Sequence, residues 1–239
     1  NRDEHRVRAP EIAPREQTTP EGVRYLAPED SEAGGTWITA NEFGVTVALL
    51  NGYIESLGPA RNSYESRGAL VRALAGVESP EAALRWLGPR SLEIYRPAVV
   101  FVKAPETPAL VARWDGRSVA IDMEGERQLP LTSSSYEQDE VQRTRRALYE
   151  EIVHPGKGGD RRQPDARRLK AFQSHVDPTK GPTPFTPSME RPDAATRSQC
   201  HIEVDGQAVR FEYRPGAPHN TDVSDSLVLD LLAASSKDR

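Results

Sequence analysis

Arg2 and Asp3 stand side by side at the start of the sequence, a base and an acid in the run Asn1-Arg2-Asp3-Glu4. A charged pair beside a central hairpin can hold a reacting group in place, or it can be an exposed ion pair of little energetic weight. Asn51 is a second candidate, because it ends the apolar run "VTVALL" and is followed by Gly52. An amide there can donate into a cleft and stabilise a developing oxyanion, or it can cap the end of the strand.

Other reactive residue types are placed less favourably. His5, His154, His175, His201 and His219 are scattered, with no two at the i, i+4 spacing that brings metal ligands onto one helix face, so neither a metal nor another cofactor is expected. Cys200 could be a thiol activated by His201, but strand alternation sends adjacent side chains to opposite faces, and a small buried filler is the simpler reading. Ser133, Ser134 and Ser135 read as loop and capping residues, with Ser135 the cap of the helix that follows. Arg161, Arg162, Arg167 and Arg168 read as a solvated basic face, and Trp37, Trp86 and Trp114 as packing residues. The sequence contains no G-x-S-x-G and no Walker loop, and "GKGGD" lies in a loop after a helix.

The elements that must position these residues are legible from period and punctuation. Between Arg8 and Glu32 four prolines (Pro10, Pro14, Pro20, Pro28) predict an extended surface connection. "GGTWITANEFGVTVALLNGY" predicts a β-hairpin, its second strand central and buried on both faces. "SRGALVRALAG" and "SPEAALRWLG" predict two helices, the second capped by Ser79 with Pro80 in its first turn. "AVVFVKA", "PALVARWDG" and "RSVAIDME" predict a three-stranded meander turning at Asp115-Gly116. A helix follows with Val141, Leu148 and Ile152 on one face, then a shorter one over "DARRLKAFQSHV". A hairpin around Asp205-Gly206 comes next, and "SDSLVLDLLAA" reads as a last amphipathic helix. Hairpins dominate the connections, so the class is α+β, with antiparallel sheets and helices grouped on their faces.

The 239 residues fit one domain, with loops at 155–166 and 177–188 and a tail at 233–239. A net charge of -5 argues against a nucleic-acid or anionic-membrane surface, and no stretch approaches the ~20 apolar residues of a membrane span. One cysteine excludes an internal disulfide and points to a reducing compartment, the cytoplasm. Oligomeric state is not encoded in any of these features.

The runs "NRDE", "RAP" (8–10), "GGTWITANEFGVTVALLN" (34–51), "SRGALV" (66–71), "TSSSY" (132–136) and "RPDAATRS" (191–198) together resemble the NRDE family, also called the transport and Golgi organisation protein 2 family. The resemblance implies an N-terminal-nucleophile-hydrolase-like fold, a four-layer αββα sandwich. It also implies a Met-Cys-led first strand ahead of the motif, which these 239 residues do not include.

In such enzymes a terminal cysteine, serine or threonine attacks an amide carbonyl with its own α-amine as base, while an amide donor stabilises the oxyanion. Carried onto this sequence by resemblance to choloylglycine-hydrolase-type relatives, Asn51 matches the oxyanion asparagine, Asp3 would orient the terminal amine and Arg2 would sit beside the nucleophile. Arg143, in "QRTRRALY", resembles a later arginine. Asn1 cannot serve as nucleophile and Cys200 is in the wrong place for one.

The resemblance thus implies an amide (C–N) hydrolase acting on an unknown small-molecule acyl amide, inactive without its nucleophile segment. The alternative it implies is a non-catalytic carrier or trafficking factor for haem, acyl-CoA or another hydrophobic small molecule.

Overall fold

In the computed structural model, which describes residues 1–53, 64–155 and 164–232, the chain runs β1 (Arg2–His5), β2 (Ile12–Thr18), β3 (Arg24–Glu29), β4 (Ile38–Asn41), β5 (Thr46–Asn51), α1 (Arg67–Ala73) and α2 (Pro80–Leu87). It continues through β6 (Ala98–Lys103), β7 (Leu110–Trp114), β8 (Val119–Asp122), α3 (Gln138–Val153), α4 (Ala166–Ser174), β9 (Ala194–Val204), β10 (Ala208–Pro215) and β11 (Asp225–Asp230). The strands form a seven-stranded sheet in the order β2-β3-β4-β5-β6-β7-β8 and a four-stranded sheet in the order β1-β9-β10-β11. Each neighbouring pair is antiparallel, as short hairpin connections require.

Alternation decides what lies between the sheets. Val209, Phe211 and Tyr213 recur at every second residue of β10 and are buried with Leu229 of β11 against Leu26 of β3 and Ala40 of β4. On the other face of the large sheet, Leu70 and Val71 of α1, Leu74 just after it, and Ala83 and Leu87 of α2 pack on Val47, Val100, Val102 and Trp114. Beyond the small sheet, α3 and α4 meet through Tyr149, Val153 and Phe172, with the Tyr149 and Phe172 rings edge-on at 5.2 Å. Lys170 and Gln173 tie α4 to Glu212 and Gln199 of that sheet. The result is the α+β arrangement of two antiparallel sheets between helix layers.

Local chemistry explains the junctions. Ser79 Oγ accepts from Ala82 N, capping α2 as its sequence predicts, and Ser66 Oγ accepts from Gly68 N in the same role at α1. A Cβ on Gly35 would stand 2.7 Å from the backbone of Gly68, and one on Gly68 would stand 2.7 Å from Thr36 N. Only glycine at both positions lets the chain entering β4 touch the start of α1. Asn41 closes the β4–β5 turn: its Oδ1 accepts from Phe43 N and Val45 N, and its Nδ2 donates to Ala75 O and Val77 O just beyond α1.

Four expectations need correction. The segment 8–32 is not a surface connection but contains the β2–β3 hairpin, with Tyr25, Leu26 and Ala27 buried. Pro14 is tolerated because β2 is an edge strand whose register shifts between Ile12 and Arg15, and Pro28 lies beyond the β3–β4 ladder, which pairs Tyr25 and Leu26 only. The last amphipathic segment is the strand β11, not a helix: Leu227 and Leu229 turn inward while Val228 stays exposed, a period of two. The inward stripe of α3 is Val141, Arg145, Tyr149 and Val153, with Leu148 and Ile152 on its flank, and α3 begins at Glu137 in a left-handed conformation rather than at a Ser135 cap. Finally, β5 is central, but Ala48, Leu49 and Leu50 are only half-buried. The loop expected at 155–166 and the tail expected at 233–239 lie largely outside the described residues, as do Arg161 and Arg162.

Candidate functional site

Strand alternation sends Arg2 and Asp3 to different environments. The Arg2 side chain lies between the sheets, 8% exposed, where Nη1 donates to Glu11 Oε2 at 3.0 Å and Nη2 to Glu4 Oε2 at 3.3 Å. Its guanidinium stacks 4.6 Å from the ring centre of Trp37. The Glu11 side chain, 5% exposed, also accepts from Tyr213 Oη at 3.2 Å, and burial together with the Glu11 charge pushes the Tyr213 phenol above its ordinary range. Arg2 is thus the centre of a buried ion network linking β1, the approach to β2, and β10.

Asp3 meets the other helix layer. Thr196 Oγ1 of β9 donates to Asp3 Oδ1 at 2.6 Å, and Nη2 of Arg145 stands 3.7 Å from Asp3 Oδ2. Arg145 is itself buried, donating through Nη1 to Thr132 Oγ1 at 2.9 Å and through Nη2 to Pro184 O at 3.1 Å. Desolvation draws its pKa below the ordinary arginine value, with the Asp3 charge opposing that fall. The carboxylate is therefore fixed through one oxygen, and the second keeps lone pairs for a further donor such as an amine or a water.

The remaining sequence candidates lie elsewhere. Asn51 ends β5 in the other sheet, where Nδ2 donates to Tyr53 Oη at 3.4 Å. Arg143 is 70% exposed and pairs with Glu140 at 2.7 Å, so it does not join Asp3. Arg145, two residues further along α3, is the arginine that faces Asp3.

Arg67, at the first position of α1, donates to Pro97 O at 3.2 Å. Burial lowers its pKa, while the charges of Tyr53 and Glu4 act to raise it. Arg67 therefore lies in the field of both the Asn51 corner and β1. A serine-capped helix with arginine at its first position, "SRG", was the available signal.

Cys200 is the one free thiol, and burial pushes it up to about 12. Its neighbour His201 bonds to Glu203 at 2.9 Å on the opposite face of β9, so the two do not form a pair. Among the described residues no three histidine, cysteine or acidic side chains gather into a metal-binding group, and no helix is long and apolar enough to cross a membrane.

No curated protein matches the sequence. Among solved structures, penicillin V acylase from Agrobacterium tumefaciens is similar at 14% identity and a TM-score of 0.47, covering 92% of this chain and 77% of its own. A mutant conjugated bile acid hydrolase from Clostridium perfringens is similar at 10% identity and a TM-score of 0.49, covering 97% of this chain and 88% of its own. The later motifs "TSSSY" and "RPDAATRS" lie outside the family match, which covers residues 1–89. Those residues, holding β1 to β5, α1 and α2, match the model of the Transport and Golgi organisation 2 family.

Proposed function

We propose that the chain is the scaffold of an amide (C–N) hydrolase of N-terminal-nucleophile type, acting on a small-molecule acyl amide. The observation that carries this reading is Asp3: a carboxylate on the edge strand of a sheet, with Oδ1 fixed by Thr196 and Oδ2 3.7 Å from the buried Arg145, where it keeps lone pairs for a further donor. In that role Asp3 accepts a proton or hydrogen bond from the amine that activates the attacking group, and Arg145 is a positioning residue. Arg2 orients β1 from the opposite face, and Asn51, the oxyanion donor that the family resemblance implies, would act from the end of β5 in the other sheet. The nucleophile is not Cys200, whose thiol burial keeps protonated. It has to be presented on the Asp3 face.

The test is turnover of a panel of N-acyl amides by the protein expressed with whatever its gene encodes immediately before Asn1, beside its Asp3→Asn variant. Loss of about a hundredfold or more in kcat in Asp3→Asn supports the reading. Equal turnover by the two proteins, or no turnover by either, overturns it. In the second case a titration with haem and acyl-CoA takes up the carrier reading.

A further inference from the structure

The loop ahead of α3 and the turn ahead of β9, marked in the sequence by "TSSSY" and "RPD", meet around an open cleft of about 380 Å3. Its wall is formed by Ser135, Tyr136, Pro184, Arg191, Pro192 and Asp193. A volume of this size lies within the ordinary range of small-molecule sites, roughly 300–1,000 Å3.

Arg191 is the cation of this wall, and its side chain is 12% exposed. A guanidinium carries five N–H donors. Here one well-made bond is present, from Nη2 to Asp193 Oδ2 at 2.9 Å. The contacts of Nη1 and Nη2 with Ser135 Oγ are both 3.5 Å, the outer limit of a hydrogen bond, and Nε is buried without a partner. So much burial with so little hydrogen bonding is unfavourable, and an acceptor placed against Nη1 and Nη2 would relieve part of it.

The surrounding charges select the acceptor. Arg145, whose Nη2 donates to the carbonyl of the wall residue Pro184, feels the repulsion of Arg191. Asp3 and Asp193 offset these two cations. With those two pairs already balanced, the donors left on Arg191 suit a single negative charge on a two-oxygen acceptor, whereas a second charge would only add to the repulsion from Asp193. The rest of the wall is apolar: two prolines and the Tyr136 ring, which stands edge-on to Phe185 at 6.1 Å and 5.9 Å from the Arg191 guanidinium carbon.

We infer that this cleft recognises a monocarboxylate carried on a small apolar body, with Arg191 holding the carboxylate and Tyr136, Pro184 and Pro192 the body. The inference does not rest on hydrolysis, since a carrier would use the same pocket.

Calorimetric titration of the full chain with benzoate, benzamide and phenyl phosphate tests it without any turnover, so this inference and the hydrolase reading can fail separately. Benzoate is expected to bind saturably and about tenfold or more tighter than the isosteric neutral benzamide, and tighter than the phosphate. Arg191→Gln should bring benzoate down to the benzamide level, while Arg143→Gln, on the exposed side of α3, should change nothing. Tyr136→Ala, at a half-exposed ring, should weaken benzoate and benzamide by the same factor, and it serves where Arg191→Gln does not fold. Absent benzoate binding, equal binding of acid and amide, a preference for the phosphate, or an acid preference that survives Arg191→Gln in folded protein would each overturn the assignment. So would a Tyr136→Ala variant that binds both probes unchanged.

Discussion

Arg145 brings Nη2 to 3.7 Å from Asp3 Oδ2, joining α3 to β1, while Arg143 on the same helix turns to solvent and pairs with Glu140. Two residues along an α-helix amount to a rotation of about 200°, so one arginine of such a pair faces inward when the other faces out. The difference has an energetic consequence. Removing the guanidinium in Arg145→Met takes away the bonds to Thr132 and Pro184 and leaves Asp3 without its cation. A loss of about 3 kcal/mol is expected for Arg145→Met, against no more than about 0.5 kcal/mol for Arg143→Met. Urea unfolding of the two variants checks the ranking, and equal midpoints would contradict it.

The network around Arg2 makes a separate prediction. Glu11 accepts from Arg2 on one oxygen and from Tyr213 on the other, with its side chain 5% exposed. Glu11→Gln leaves the Arg2 guanidinium without its best-placed counter-charge and should cost about 3 kcal/mol. Tyr213→Phe removes one hydrogen bond and should cost about 1 kcal/mol. Because the two residues share a bond, the double variant should lose less than the sum, and a double-mutant cycle in urea measures the difference.

Those two residues show what the sequence could and could not reveal. Asp115 and Asp205 announce their hairpins because the signal is local: each Oδ1 accepts two backbone N–H groups of its own turn. The Ser79 cap is legible for the same reason. The β2–β3 hairpin is hidden by prolines whose cost depends on which strand is an edge, a property of the assembled sheet. Likewise "SLVLDLL" fits either period until β10 provides a partner. At the site, Asp3 and Arg2 stand out as an adjacent acid and base and through the family resemblance. Glu11 and Tyr213 are separated by 202 positions, and no local pattern joins them.

The loop after α4 provides a pH dependence. Asp177 Oδ1 accepts from Thr179 N, Thr179 Oγ1 and Lys180 N, and these bonds lower its pKa from 3.8 to about 2. A carboxylate depressed in the folded state contributes stability that is present above 3.8 and lost as the pH falls through about 2. The stability difference between the natural protein and Asp177→Asn should therefore shrink over that interval. Thermal unfolding of both proteins at a series of acidic pH values follows it, and a constant difference would show that the turn does not hold the carboxylate.

Cys200 gives the last prediction, which bears directly on the chemistry. Burial raises the thiol from 9.0 to about 12, so at a given pH below that range the folded state holds roughly a thousandfold less thiolate than an ordinary cysteine. Only the thiolate attacks an alkylating agent. Folded protein at mildly alkaline pH should resist iodoacetamide, and unfolded protein should react at the rate of a free thiol, with mass spectrometry reading both. The sign for stability follows from the same shift: the unfolded chain ionises first, so this contribution is complete below 9.0 and is lost as pH rises toward about 12. Cys200→Ala should remove that part of the alkaline loss. Rapid labelling of the folded protein would instead mark Cys200 as a reactive thiol and reopen it as a nucleophile.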